Sequence, residues 1–201
     1  MTSIWFVRHG ETDWNALGKI QGQTDIPLNN TGRSQANECG LYLQDFHWDV
    51  LISSPLKRAK ETASIINKYL DLPITEMDDF RERSFGDAEG MTVEERMEVF
   101  PDGIYPHQES IEALTERIMQ GMAKIDHIHK GKKVLVVAHG AVINAIFTHL
   151  TDGEISTGTG KKVSRLANGS ISHVQLVDET WQIKHFNQKD HLSAYSAKGS
   201  M

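Results

Sequence analysis

The chain has 201 residues, 39% hydrophobic and 24% charged, a balance that excludes a disordered segment and suits one globular domain with a core of its own. A net charge of -6 and a pI near 5.9 exclude the overall basic footprint of a nucleic-acid binder, while a few arginines in a cleft would still suit an anionic small substrate. Cys39 is the one cysteine, so no intrachain disulfide forms. Arg8 cuts the first apolar run too short for a signal peptide, and no run is long enough to span a membrane, so the cytoplasm is the expected compartment.

Ile4-Trp5-Phe6-Val7 is short, apolar and rich in aromatic and β-branched residues, which predicts a buried strand. It ends in Arg8-His9-Gly10, with glycine allowing a tight turn or close approach to a ligand. Ala16 to Asn30 reads as a polar loop, long for a compact domain. Thr31 is placed to cap a helix over Gly32 to Phe46, with Ala36, Cys39, Leu43 and Phe46 at helical spacing. Asp49 to Ser53 is a second strand, followed by Ser54-Pro55 as cap and first helical position of a helix reaching Leu70.

Ile74 to Met77 reads as a short strand, and Phe80 to Gly90 as a charged loop. Thr92 and Glu95 form a capping box for a helix to Val99. Ser110 caps a helix to about His129, with Ile111, Leu114, Ile118, Met122 and Ile125 on one face. Lys132 to Ala138 is the most apolar strand and ends in His139-Gly140; a helix follows over Val142 to Leu150. Thr151 to Gly169 reads as mobile. Ser170 to Val177 and Trp181 to Phe186 alternate as a hairpin about Asp178-Glu179, and the tail from Ser193 reads as frayed. Alternating strands and helices predict an α/β three-layer sandwich, its central sheet mostly parallel and helices on both faces. Residues 1–201 are expected to form one domain, with a short excursion at about 84–108 over the strand ends.

In such a sheet, Arg8-His9, Arg58 and His139-Gly140 all fall at strand ends on one edge, where ligands bind. Two guanidinium groups and two imidazoles around one point suit a phosphoryl group, whose transfer spreads charge over three equatorial oxygens. One histidine can attack phosphorus in line. A leaving alkoxide still needs a proton, and Glu82 is the best placed carboxyl for a general acid. Read alone, Arg8-His9-Gly10 is equally a strand end before a polar turn, and Glu82 more readily a solvated loop charge than an acid. The His127-x-His129 pair cannot share a helix face and makes a poor metal site.

Arg8-His9-Gly10-Glu11-Thr12 with Asn15, then Ser53-Ser54-Pro55-Leu56-Lys57-Arg58-Ala59, Arg81-Glu82, Phe85-Gly86, Glu89-Gly90 and Ala138-His139-Gly140 together resemble the histidine phosphatase superfamily in its phosphoglycerate-mutase-like branch. Asn187 and His191-Leu192 resemble the C-terminal end of that family. The resemblance implies that His9 becomes the phosphohistidine, that Arg8, Arg58 and His139 complete the phosphate pocket, and that Glu82 protonates the leaving group. It also implies substrate contacts from Asn15, Gln21, Gly22, Gly140 and Ala141, with no metal and no organic cofactor. The partner it implies is a small phosphorylated metabolite, with neither nucleic acid nor membrane; a homodimer stays open, because oligomeric state is not written in the sequence.

True mutases of the branch carry a lysine after the Glu-Gly loop and an Arg-Arg pair in the excursion. This chain has Gly90-Met91-Thr92-Val93-Glu94 and no such pair between Arg96 and Arg117, and its excursion bears Glu94, Glu95, Glu98 and Asp102. It therefore resembles the broad-specificity phosphatases more than the mutases, although Ala88 stands where that group more often has tryptophan. The expected activity is hydrolysis of small phosphomonoesters through His9; a bisphosphoglycerate-dependent mutase and a non-catalytic phosphate-binding module are the alternatives.

Overall fold

The computed structural model describes residues 1–152 and 166–196. Six strands form one sheet: β1 (Ser3–Arg8), β2 (Val50–Ser53), β3 (Ile74–Glu76), β4 (Lys133–Ala138), β5 (Ile171–Val177) and β6 (Thr180–Gln188), in the order β3-β2-β4-β1-β5-β6. The pairs β2/β3, β2/β4 and β1/β4 are parallel, whereas β1/β5 and β5/β6 are antiparallel. Strand side chains alternate between faces, so a strand covered on both sides must be apolar throughout. Ile4 and Phe6 pack on one face with Leu114, Ile118, Met122, Ile143 and Phe147. Trp5 and Val7 pack on the other with Cys39, Leu43, Ala59, Ala63 and Ile66. The expected three-layer arrangement is thus present, with α2 (Asn30–Leu43) and α3 (Lys57–Leu70) on one face and α5 (Ile111–Ile128) and α6 (Gly140–Leu150) on the other.

Several local expectations are corrected. The cap of α2 is Asn29, whose side-chain oxygen accepts from Gly32 N at 2.9 Å, and Thr31 lies inside the helix, which stops at Leu43 before Phe46. Asp13–Ala16 forms a short helix, α1, closed by a capping box between Thr12 and Asn15. Leu56, not Ser54, occupies the cap position of α3, and the apolar leucine makes no side-chain cap bond; the helix starts at Lys57, two residues after Pro55. Ile111 is 51% exposed at the mouth of α5 and sits outside the core. The helix after β4 starts at Gly140, with His139 as its cap residue.

The Thr92–Glu95 capping box opens α4 (Val93–Val99) as expected. The hairpin turns at Asp178 and Glu179, whose φ values of 47° and 64° match a tight turn between twisted antiparallel strands. Most of the Thr151 to Gly169 stretch, 153–165, lies outside the described residues. The tail from Ser193 begins as a short helix, α7 (Ser193–Ser196), with Ser193 N donating to Glu38 Oε2 at 2.9 Å; 197–201 lie outside the described residues.

Candidate active site

Parallel pairing places the carboxyl ends of β1, β2 and β4 on one sheet edge. His9 N donates to Ala138 O and Ser54 N donates to Val137 O, each at 3.0 Å, so the three strand ends are tied together just where the polar residues begin. A pocket of about 160 Å³ opens there, lined by Arg8, His9, Asn15, Gln21, Gly22, Arg58, Glu82, Gly140 and Ala141, together with Lys19, Ile20 and Phe85. His139 is fully buried behind this lining, its ring centroid 5.2 Å from that of His9.

His9 is built as a neutral nucleophile. Its Nδ1 is 2.7 Å from Gly10 O, and a carbonyl can only accept, so Nδ1 carries the hydrogen and Nε2 keeps its lone pair. Burial, then the Arg58 and Arg8 charges, hold its pKa well below the ordinary 6.5, so the ring is uncharged at neutral pH.

Two cations flank it. Arg8 Nη1 donates to Leu166 O. Arg58, only 1% exposed, donates Nη2 to Gly22 O at 2.6 Å and Nη1 to Thr24 O at 2.9 Å. Its Nε, like His139 Nδ1, is buried with no partner among the described residues. Buried polar nitrogens are rarely left unpaired, and here one belongs to a pocket-lining guanidinium and the other to the imidazole behind it.

Glu82 accepts from Arg83 N at 3.0 Å and from Ala141 N at 3.2 Å. Burial raises its pKa above the ordinary 4.5, and the Arg58 charge, the foremost of the opposing influences, draws it back. A carboxyl so placed can hold a proton beside a basic nucleophile, the pairing that acid-base chemistry at one site needs. The walls behind these groups are knitted by Glu89. Its carboxylate accepts from Gln23 N at 3.0 Å, Thr24 N at 2.9 Å, Thr24 Oγ1 at 2.6 Å and Phe85 N at 3.0 Å. It thereby holds the loop whose carbonyls receive Arg58.

The expected catalytic and substrate-contacting residues, Arg8, His9, Asn15, Gln21, Gly22, Arg58, Glu82, Gly140 and Ala141, line this pocket, and His139 lies directly behind it. Gly10 lies beside His9, for a different reason than its position suggested: a Cβ there would lie 2.3 Å from Gly32 O, so the glycine permits contact with α2 rather than with a ligand. Lys19 and Ile20 carried no motif. Asn168 was also passed over; its Nδ2 donates to His9 O at 3.0 Å and Asn15 Oδ1 at 3.1 Å, from 159 residues away in sequence. Among the described residues, no group of three or more His, Cys, Asp or Glu is arranged to hold a metal ion, and His127 and His129 join none.

Residues 4–189 match the family model of the histidine phosphatase superfamily, branch 1. The chain belongs to that family. It is 53% identical over 195 residues to the Bacillus subtilis protein described as uncharacterized phosphatase PhoE, covering 97% of this chain and 99% of that one. It is 36% identical over 208 residues to a metal-independent phosphoserine phosphatase of Arabidopsis thaliana, covering 96% and 84%. Among solved structures, a phosphoserine phosphatase mutant from Entamoeba histolytica in complex with phosphoserine superposes with a TM-score of 0.81 at 30% identity, covering 96% of this chain and all of that one.

Proposed function

We propose that the chain hydrolyses small phosphomonoesters through a phosphohistidine on His9. The observation that carries this reading is the His9 ring, its Nδ1 locked on Gly10 O, at one pocket with Arg8, Arg58 and the Glu82 carboxyl, whose pKa burial raises. His9 Nε2 attacks phosphorus, the bond to the ester oxygen breaks in line, and Glu82 gives its proton to the departing alkoxide. The guanidinium groups and His139 meet the equatorial oxygens, while Asn15, Gln21, Gly22 and the backbone at Gly140 and Ala141 contact substrate. In the second half, Glu82 takes a proton from water as it attacks phosphorus, and inorganic phosphate leaves with His9 restored.

The two phosphoserine phosphatase relatives support a small phosphorylated metabolite as substrate. Met91 at the mutase lysine position, and the missing Arg-Arg pair, favour a site for one phosphate over a bisphosphoglycerate site. The same reading takes the chain as one domain, with a short excursion at about 84–108 over the active site, acting in the cytoplasm.

The test follows phosphate release from a panel of phosphomonoesters, phosphoserine included, in excess chelator. In parallel, 3-phosphoglycerate is followed for isomerisation in the presence of bisphosphoglycerate. Phosphate release that survives chelation and outruns isomerisation is expected. Isomerisation that outruns release would make the chain a mutase, and a requirement for a divalent ion would contradict the mechanism.

A further inference from the structure

The two ring nitrogens of His139 have different surroundings. Nε2 lies 2.6 Å from Ser54 Oγ, while Nδ1 is buried with no partner among the described residues. Ser54 was expected to cap α3; instead its amide is pinned to Val137 O at 3.0 Å, which sets its hydroxyl beside the end of β4. Ser54 Oγ accepts from Leu56 N at 3.4 Å, which occupies one lone pair. The second lone pair could accept from His139, but then the hydroxyl proton would have no acceptor among the described residues; donation to His139 Nε2 is the arrangement that uses it. A hydroxyl has one proton to give, and a neutral imidazole has one nitrogen that accepts and one that donates. If Nε2 accepts from Ser54, the hydrogen of the ring must sit on Nδ1.

We propose that Ser54 is a positioning residue for phosphoryl transfer: it fixes His139 in the tautomer with hydrogen on Nδ1, so that this ring presents a donor and not a lone pair to the phosphoryl group on His9. Chemistry makes the choice matter. The ring is neutral, because burial and then the Arg58 charge hold its pKa well below the ordinary 6.5. It therefore has a single hydrogen to place. The other tautomer would spend that hydrogen on a serine oxygen and turn a lone pair toward an anion. The role rests on the phosphoryl-transfer reading of the pocket, but the tautomer is measurable without any substrate.

The experiment uses the full chain labelled with ¹⁵N in histidine, at neutral pH. Long-range proton–nitrogen spectra report which ring nitrogen is protonated, and the His139 signals are assigned by their loss in His139→Gln. In the native chain Nδ1 is expected to be protonated and Nε2 unprotonated. Ser54→Ala should populate the other tautomer and lower kcat for an aryl phosphate roughly 10–100-fold, the scale of one misplaced donor to a developing charge, with a smaller change in KM. Ser54→Thr keeps the hydroxyl and should restore both the native signal and most of the activity.

A native spectrum with the hydrogen on Nε2 overturns the proposal. So does Ser54→Ala with tautomer and kcat unchanged, or Ser54→Thr no better than alanine. If Ser54→Ala does not fold, the native spectrum and the threonine variant still decide. A chain with the expected tautomer but no activity on any phosphomonoester would overturn the phosphatase reading and leave the tautomer assignment standing, which separates the two failures.

Discussion

Glu89 holds Thr24 by both ends, its Oε2 accepting from the amide nitrogen at 2.9 Å and from the hydroxyl at 2.6 Å. Thr24 O in turn receives Arg58 Nη1, so one carboxylate outside the pocket lining sets the position of a guanidinium inside it. Glu89→Ala leaves the Gln23, Thr24 and Phe85 amides without their acceptor. It should lower stability by about 2–3 kcal/mol, the usual penalty for orphaned donors to a charged group, and reduce kcat/KM together with it. Thermal unfolding and steady-state kinetics on an aryl phosphate check this; an unchanged kcat/KM would show that Arg58 holds its place without the loop.

Gly10→Ala tests the close contact behind His9. The added Cβ would lie 2.3 Å from Gly32 O and 2.9 Å from Gly32 Cα, both backbone atoms that cannot swing aside. An overpacking cost of about 1–3 kcal/mol is expected, with a fall in activity because His9 Nδ1 is held by the Gly10 carbonyl. Denaturant unfolding of the variant measures the first and turnover the second. A fully stable, fully active variant would mean that α2 yields to the loop.

How far these contacts were legible in the sequence depends on their range. Val134 to Val137 and Ile4 to Val7 announced buried strands because both faces of each are covered, and parallel strands bring Arg8, His9, Arg58 and His139 to one edge without further information. Glu82 had a weaker signal: its loop lacks periodicity, the need for a proton donor suggested it, and the resemblance gave it the role. Asn29 and Thr31 are both competent caps two residues apart, and the geometry of the chain entering α2 chose Asn29. Asn168 reaches His9 and Ser54 reaches His139 only after the sheet has formed, so local pattern could not reveal either.

Glu82→Gln preserves shape and removes the proton. Turnover of an alkyl phosphate should fall roughly 10²–10⁴-fold, the usual worth of a general acid. An aryl phosphate, whose leaving group needs less help, should lose less. Equal losses on both substrates would remove Glu82 from the role of acid.

The pH profile of kcat/KM carries the same assignment. His9 must be neutral, and its pKa lies well below 6.5, so activity should persist on the acid side of the ordinary histidine range. Glu82 must be protonated, and its pKa is raised above 4.5, so activity should decline as pH climbs through that raised value. The substrate's own ionisation is common to native chain and variant, so the comparison is made between them: the alkaline decline due to the acid should be absent from Glu82→Gln. If both show the same alkaline limb, that limb belongs to another group.

The most direct measurement is rapid acid quench of the enzyme with ³²P-labelled phosphomonoester, followed by identification of the labelled residue. The expected result is an acid-labile phosphoryl group on His9, formed fast enough to lie on the path to phosphate and absent from His9→Ala. Label on His139 or on a serine, or steady turnover with no label on the protein, would contradict His9 as the nucleophile.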